Sequence, residues 1–164
     1  MSNGLVNTRD QQFVLFEQLK IEKLFEYEAY KDFTRDDLQM VLNEAEKLAV
    51  NKLAPCNKDG DEVGCSIKDG VVTIPRSFHE PYRLYCEGGW IATMDSPEVG
   101  GQGLPAAAGF AANEFFGAAN YALGMYPGLT HGAAMLINEA GTPEQKDKYM
   151  YKLFEGTWTG TMCL

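Results

Sequence analysis

The sequence is poor in positive charge. Its 14 Lys and Arg residues stand against 23 Asp and Glu, which gives a formal net charge of −9 and an isoelectric point near 4.7. Nucleic-acid binding needs clustered Lys and Arg to neutralise phosphates, so this class of partner is disfavoured. An acidic balance of this kind is typical of a cytoplasmic protein, which is the location that we expect.

Long apolar runs and targeting signals are also missing. No apolar run approaches the length that a membrane span needs, and residues 1–4 do not begin a basic region followed by an apolar one. The sequence therefore predicts neither a membrane span nor a secretory signal peptide.

Cysteine is scarce and scattered. The four residues Cys56, Cys65, Cys86 and Cys163 form no disulfide framework by their spacing, so we expect reduced thiols. A metal site built from the first three with His79 is disfavoured, because there is no C-x-x-C pair and no second histidine at ligand spacing. Buried or partly buried thiols are the favoured interpretation, and we predict no metal.

Helical patterns dominate what is present. Residues 1–33 carry an aromatic face and are predicted to form an N-terminal arm. Thr34 and Asp37 are spaced as in a capping box, and the helix that they open is expected to end at Pro55. Pro105 is placed as the first residue of another helix, and Thr142 with Gln145 opens a further one.

The segments between these helices contain turn residues. Residues 56–74 are predicted to form a loop, with turns at 59–60 and 69–70, the second of which closes a small hairpin. Ser77 and Glu80 predict another capped helix. In the helix predicted over 122–139, the glycines at 124, 128 and 132 either permit a close approach or break the helix.

The last eight residues, 157–164, have the pattern of a strand that ends without a turn or cap. An open strand leaves backbone groups unpaired, so we expect the chain to be the N-terminal piece of a larger protein. The predicted fold is mainly α, with a helical domain over 34–156 that leads into the first strand of a truncated β domain at 157–164.

Three features are candidates for chemistry. The glycine-rich loop over 97–103 precedes a helix, where an anion can bind, but it matches neither the dinucleotide fingerprint nor the P-loop, so a structural turn is favoured. His131 is a candidate general base or ligand contact, although a structural histidine is favoured because no acid stands near it in the sequence. Glu114 is a candidate base if buried, and a solvent-facing side chain is favoured.

Several segments together resemble the acyl-CoA dehydrogenase family, and most closely its larger bacterial members. They are Pro97–Leu104, Gly141–Lys146, Lys148–Met150 with Leu153, and Gly156–Leu164. Their order and spacing match the family's N-terminal helical domain running into the first strand of its β domain.

The resemblance implies a fold and an activity. The family has an N-terminal helical domain, a middle β domain and a C-terminal helical bundle, with FAD bound between them. It implies α,β-desaturation of an acyl-CoA thioester, with electrons passed to electron-transfer flavoprotein. A homodimer or homotetramer is implied for the full-length protein.

Residue by residue, the resemblance implies little. Met162, Cys163 and Leu164 match the first half of the family's flavin-contacting strand. Tyr126 and Leu129 fall where relatives line the floor of the acyl pocket.

The residues that complete the site in the family have no counterpart in this sequence. The threonine that follows the matched strand residues and the catalytic glutamate of the C-terminal bundle are both missing, and neither Glu98 nor Glu114 matches that glutamate. We therefore expect this piece alone to be inactive. The alternative hypothesis is a non-enzymatic helical binding module that uses its aromatic N-terminal arm or groove.

Overall fold

The N-terminal segment is a series of short helical turns laid against the body of the protein. In the computed structural model, residues 4–161 and 163 are described. The turns are α1 (Thr8–Gln12), a π-helical turn (Phe13–Gln18) and two 3₁₀ turns (Ile21–Glu26 and Glu28–Tyr30). Leu15, Phe16 and Ile21 are buried, whereas Phe13 and Leu19 are exposed, so only part of the predicted aromatic face packs inward.

Helix α2 spans Arg35–Leu48 and begins as predicted. The Thr34 hydroxyl accepts a hydrogen bond from the Asp37 N–H, and the Asp37 carboxylate accepts one from the Thr34 N–H. This reciprocal pairing is the capping box, and it satisfies two donors that the start of a helix leaves free.

Pro55 does not end this helix, so that prediction was wrong. The chain continues through a π turn (Ala49–Leu53) into α3 (Ala54–Glu62), and the predicted turn at residues 59–60 lies inside α3. The Ala54 N–H donates to the Ala49 carbonyl, five residues back. A proline ring normally collides with the preceding turn, and a widened turn directly before Pro55 makes room for it.

The predicted hairpin is confirmed. Strands β1 (Ser66–Lys68) and β2 (Val71–Thr73) pair antiparallel, with Ile67 opposite Val72. Both turn residues have positive φ, 51° at Asp69 and 77° at Gly70, which is the conformation that a two-residue hairpin turn requires. All six strand residues are exposed, so the hairpin lies on the surface.

Helix α4 (His79–Glu87) is not capped by Ser77, contrary to the prediction. A 3₁₀ turn (Arg76–Phe78) precedes the helix, and the Phe78 N–H donates to the Pro75 carbonyl. Ser77 therefore already lies within a helical turn, and its hydroxyl has no hydrogen-bond partner among the described residues.

The two longest apolar helices follow each other with one residue between them. They are α5 (Ala106–Ala119) and α6 (Tyr121–Ala140), and Pro105 lies one residue before α5 rather than inside it. Helix α6 is continuous through its glycines and Pro127, so they do not break it. None of the described helices is both long and apolar enough to cross a membrane.

The last helical segment consists of α7 (Pro143–Gln145), a π turn (Lys146–Met150) and α8 (Tyr151–Phe154). Thr142 and Gln145 form the predicted capping box. Beyond α8, the described part of residues 157–164 makes no strand pair. The Trp158 N–H donates to the Lys152 carbonyl, and the Gly160 N–H donates to Thr130 Oγ1. A strand needs a partner strand, so the domain boundaries and the strand at 157–164 stay predictions.

Helix α2 packs on α5 at the centre of the larger of two cores. Small side chains, namely those of Ala45, Ala108 and Ala112, are buried there together with Leu38 and Phe115. The smaller core joins the end of α6 to the helical turns after it. The mainly helical fold that the sequence predicts is therefore confirmed.

Asn120 links three parts of the larger core. Its Oδ1 accepts the Leu123 N–H and caps α6, while its Nδ2 donates to the Leu53 carbonyl and to Cys56 Sγ, each at 3.4 Å. The residue is 1% exposed. The start of α6 is thereby fixed to the junction between α2 and α3.

We expect Asn120→Ala to lower the free energy of unfolding by about 2–3 kcal/mol, because it removes a cap and leaves buried polar groups unpaired. Thr34→Ala, which removes an exposed cap, is the matched control and should cost about 1 kcal/mol. Urea denaturation of both variants measures the difference. Equal losses in the two variants would show that the buried contacts of Asn120 add nothing.

Candidate functional site: an apolar cavity on helix α6

A cavity of about 320 Å³ lies between α5, α6 and the segment over residues 90–94. Three larger hollows are more open to solvent. Most of the residues that line the cavity are apolar or small. They are Tyr85, Trp90, Ile91, Thr93, Met94, Asn113, Phe116, Gly117, Tyr121, Gly124, Met125, Pro127, Gly128, Leu129 and His131.

Two glycines keep the α6 side of the cavity open. Gly124 and Gly128 are one helical turn apart, and a Cβ atom built on either meets no atom within 4 Å. The space beside them is therefore not filled by other protein atoms. This is the opposite of the usual helical glycine, whose missing side chain lets a neighbour approach.

Met94 forms part of the facing wall and is held by a third glycine. A Cβ atom built on Gly109 of α5 would lie 2.3 Å from Met94 Cγ, well inside contact distance. Gly109 is itself buried. The thioether side chain therefore occupies a notch that only glycine leaves open.

His131 and Asp95 form a polar pair at the edge of the cavity. His131 Nε2 lies 2.8 Å from Asp95 Oδ2, and the two side chains are 30% and 10% exposed. The His131 ring also packs against the Phe154 ring with 5.9 Å between centroids. The hydrogen bond expected of a structural histidine is present, and its acid partner lies 36 residues away in sequence. Whether His131 has a role beyond structure stays a prediction.

The glycine-rich loop after Asp95 is a structural turn. Its amide groups from residue 98 to residue 104 all donate within the segment, for example from Gly103 to the Asp95 carbonyl and from Leu104 to the Thr93 carbonyl. A Cβ atom built on Gly101 would lie 2.1 Å from the Asp95 carbonyl oxygen. An anion bound by this loop would need backbone N–H groups that are not already engaged in hydrogen bonds, so the structure favours the structural-turn interpretation over phosphate binding.

The two residues predicted to contact the substrate lie in different surroundings. Leu129 lines the cavity, whereas the Tyr126 ring packs edge-on against Phe78 and Tyr82. The Tyr126 hydroxyl lies 3.8 Å from Cys65 Sγ. Burial raises the pKa of the neighbouring Tyr82 to about 12, which indicates a water-poor surrounding. The roles of both residues in substrate binding stay predictions.

The predicted flavin contacts lie at the end of the chain. Met162 and Leu164 fall outside the described residues, and Cys163 is exposed. Glu98 is exposed, and Glu114 is exposed and accepts a hydrogen bond from Gln11 Nε2 at 2.9 Å. The solvent-facing interpretation of Glu114 is thereby confirmed.

The cysteines lie in different places. Cys56 is buried and donates to the Leu53 carbonyl, Cys65 is exposed beside Tyr126, and the Cys86 side chain lies against Gly156. All four thiols are free. Among residues 4–161 and 163, no three His, Cys, Asp or Glu side chains are grouped as metal ligands.

Sequence reasoning missed the wall that faces α6. Met94, Asp95 and Asn113 lie in segments with no motif, and nothing in their local spacing points to α6. The composition of α5 gave one indication of this wall, because a run of small residues indicates a neighbour that packs closely. It does not indicate which residue fills the space.

The described residues form a mainly helical body with an apolar cavity between α5 and α6. The family to which the chain belongs follows from comparison with known proteins. Residues 35–157 match the model of the acyl-CoA dehydrogenase N-terminal domain. The chain belongs to the acyl-CoA dehydrogenase family.

Similar proteins come from several bacteria. The chain is 31% identical to 3-methylmercaptopropionyl-CoA dehydrogenase of Ruegeria pomeroyi over 156 aligned residues. The alignment covers 95% of this chain and 26% of that protein. The chain is also 31% identical to a butyryl-CoA dehydrogenase of Syntrophomonas wolfei, covering 99% of this chain and 27% of that protein. It is 32% identical to the broad-specificity linear acyl-CoA dehydrogenase FadE5 of Mycobacterium tuberculosis, covering 100% of this chain and 27% of that protein.

The chain thus spans about a quarter of the length of the curated relatives that it matches. The resemblance predicted from the sequence is confirmed over nearly the whole chain. What the relatives' remaining three quarters contribute lies outside these 164 residues.

The cysteine environments predict an order of chemical reactivity. Burial raises the pKa values of the Cys56 and Cys86 thiols, so less thiolate is present at a given pH. We expect the exposed Cys65 and Cys163 to be alkylated by iodoacetamide at pH 8 well before Cys56, as followed by peptide mass spectrometry. The same protein in urea, in which all four should react at similar rates, is the control. Rapid labelling of Cys56 in the folded protein would contradict its placement in the core.

Proposed function

We propose that this chain is the N-terminal part of an FAD-dependent acyl-CoA dehydrogenase, and that the cavity on α6 holds the acyl group. One observation carries the proposal. The cavity is lined mainly by apolar side chains, it is kept open by Gly124 and Gly128, and it lies inside the segment that matches the family. An apolar slot of this kind suits an acyl chain, and the similar proteins described above are named as dehydrogenases of acyl-CoA substrates.

The residues of this chain would bind and orient the substrate. Leu129, Met94 and Met125 would cover the acyl group and exclude water from it, while the Asp95–His131 contact would hold the facing wall on α6. Tyr126, by contrast, would support α6 from its other side through its ring contacts with Phe78 and Tyr82.

FAD would supply the acceptor for the hydride that leaves the β carbon of the acyl group. In this chain we propose Met162, Cys163 and Leu164 as contacts for its ring. The fit rests on the segment before them, which is fixed to α6 through the Gly160 N–H and Thr130 Oγ1, and on the exposed position of Cys163. We do not assign Glu98 or Glu114 as the general base, since both are exposed and neither lines the cavity.

The remaining parts of the proposal concern the whole protein. Electron-transfer flavoprotein as the electron acceptor, a homodimer or homotetramer, and a cytoplasmic location follow from the family resemblance. The four free cysteines agree with a reducing compartment.

A second candidate function is a helical binding module. The observation that favours it is a groove between the N-terminal segment and α5, where Val14, Leu19 and Phe110 are all exposed. Exposed apolar side chains that cluster in this way mark interaction surfaces. The two functions differ in whether the α6 cavity or this groove binds a ligand.

The proposed activity is tested by exchange of the matching N-terminal quarter of the Ruegeria pomeroyi enzyme for residues 1–164. We expect the chimera to bind FAD and to lose its yellow colour when an acyl-CoA is added, and the 164-residue chain alone to do neither. Absorbance spectra of both proteins measure this. A folded, flavin-loaded chimera that no acyl-CoA bleaches would contradict the proposal. Stoichiometric flavin on the 164-residue chain alone would contradict the expectation that this chain lacks most of the flavin site.

The cavity itself is tested by Gly128→Phe in the same chimera. The ring would fill the open side of the cavity, and excluding two methylenes costs roughly 1.6 kcal/mol, so we expect at least about a tenfold loss of acyl-CoA affinity. Ala118→Phe, at an exposed position of α5, is the matched control and should change little. Unchanged affinity in Gly128→Phe would place the acyl group elsewhere.

A further inference from the structure

The glycine-rich loop fixes the backbone on both sides of Met94. The Thr93 carbonyl accepts a hydrogen bond from the Leu104 N–H, and the Asp95 carbonyl accepts one from the Gly103 N–H, each at 2.9 Å. The Asp95 carboxylate is also joined to α6. These three contacts hold the backbone of Met94 at one point of the cavity wall, and its side chain is the part that is left to adjust.

The inner part of the Met94 side chain lies in the notch of α5. A Cβ atom built on Gly109 would lie 2.3 Å from Met94 Cγ and 2.6 Å from Sδ, but 3.7 Å from Cε. Helix α5 therefore bounds this side chain on one side, and the cavity that Met94 lines is the unfilled space beside it. A displacement away from α5 moves the thioether toward the cavity. Methionine accommodates such a change easily, because its side chain is unbranched and has three rotatable bonds.

The α6 side of the cavity has no comparable freedom at Gly124 and Gly128. These two residues present backbone to the open space, and the backbone of a helix has no alternative rotamers. How far the Met94 side chain reaches toward them therefore determines how much room is left for an apolar chain.

We propose that Met94 is a specificity-determining residue that limits the length of the acyl chain in the α6 cavity, and that the notch at Gly109 sets how far it reaches. The inference deepens the proposed function and rests on it, since it takes the acyl group to lie in this cavity. Each methylene that gains or loses apolar contact changes the affinity roughly fourfold. Room for one or two methylenes is therefore a measurable difference in specificity.

A purely structural methionine would give a different result. Its removal would lower stability, and activity toward all acyl-CoAs would fall by a similar factor. A residue that limits chain length instead changes the rates with long and short substrates relative to each other. The ratio of kcat/KM between substrates of different length is therefore the quantity that separates the two roles.

The test uses the flavin-loaded chimera described above and linear acyl-CoAs from butyryl to dodecanoyl, with an artificial electron acceptor. We expect Met94→Ala to shift the chain-length profile of kcat/KM toward longer substrates, by roughly fourfold or more in the ratio of adjacent even-numbered chains at the long end. Gly109→Ala should shift the profile toward shorter chains. Met40→Ala, which makes the same substitution at an exposed position of α2, is the matched control and should leave the profile unchanged.

The double variant Met94→Ala/Gly109→Ala tests whether the notch acts through Met94. The three atoms nearest to a Cβ atom on Gly109 all belong to the Met94 side chain and are absent after Met94→Ala. We therefore expect the double variant to have the profile of Met94→Ala alone. Independent, additive shifts from the two substitutions would overturn the role of the notch.

The possible results separate this inference from the proposed function. An active chimera whose chain-length profile is the same in Met94→Ala as in the parent would overturn the inference and leave the acyl site standing. A flavin-loaded chimera that no member of the series reduces would overturn both. If Gly109→Ala does not load flavin, Met94→Phe replaces it, since a bulkier side chain at the same point should also favour shorter substrates, and an unchanged profile there would count against the inference.

Discussion

Close contact between helices, permitted by alanine and glycine, is the constraint on which this structure depends. Helix α5 buries a row of alanines on one face, namely Ala108, Ala111, Ala112 and Ala119. It can therefore lie against α2 on one side and receive the Met94 side chain at Gly109 on another. A larger residue at these positions would separate the layers and with them the walls of the cavity, because interiors are packed with few voids.

Helix α6 connects this packed core to the candidate site. Asn120 fixes its start, Gly124 and Gly128 open its cavity face, and His131 joins it to Asp95. Thr130, which is fully buried, accepts the Gly160 N–H and so holds the segment that leads to the predicted flavin contacts. One rigid element therefore sets the distance between the proposed acyl cavity and the proposed cofactor contacts. Precision of this kind is easier to maintain on a helix than on a loop.

Most local caps and turns could be predicted from the sequence, although the cap at Ser77 was wrong, and long-range placement could not be predicted. The capping boxes at Thr34 and Thr142 and the hairpin turn at Asp69–Gly70 were correct, because each is decided within four residues. The helix end at Pro55 was wrong, because a π turn upstream relieved the clash that the local rule assumes. In the site, Leu129 lines the cavity, and its predicted contact with the substrate stays a prediction. Asp95, Met94 and Asn113 could not be found, because their relation to α6 exists only after folding.

The N-terminal segment contacts residues that are synthesised much later. Gln11 donates to the Ala111 carbonyl and to Glu114, partners about 100 residues later in the chain. At typical rates of translation, roughly 5 to 20 seconds separate the emergence of the two. During that interval Leu15, Phe16 and Ile21, which are buried in the finished fold, lack much of the core that later surrounds them. The newly made segment therefore exposes apolar side chains at the ribosome. These side chains need protection from aggregation only during synthesis, since the finished fold buries them.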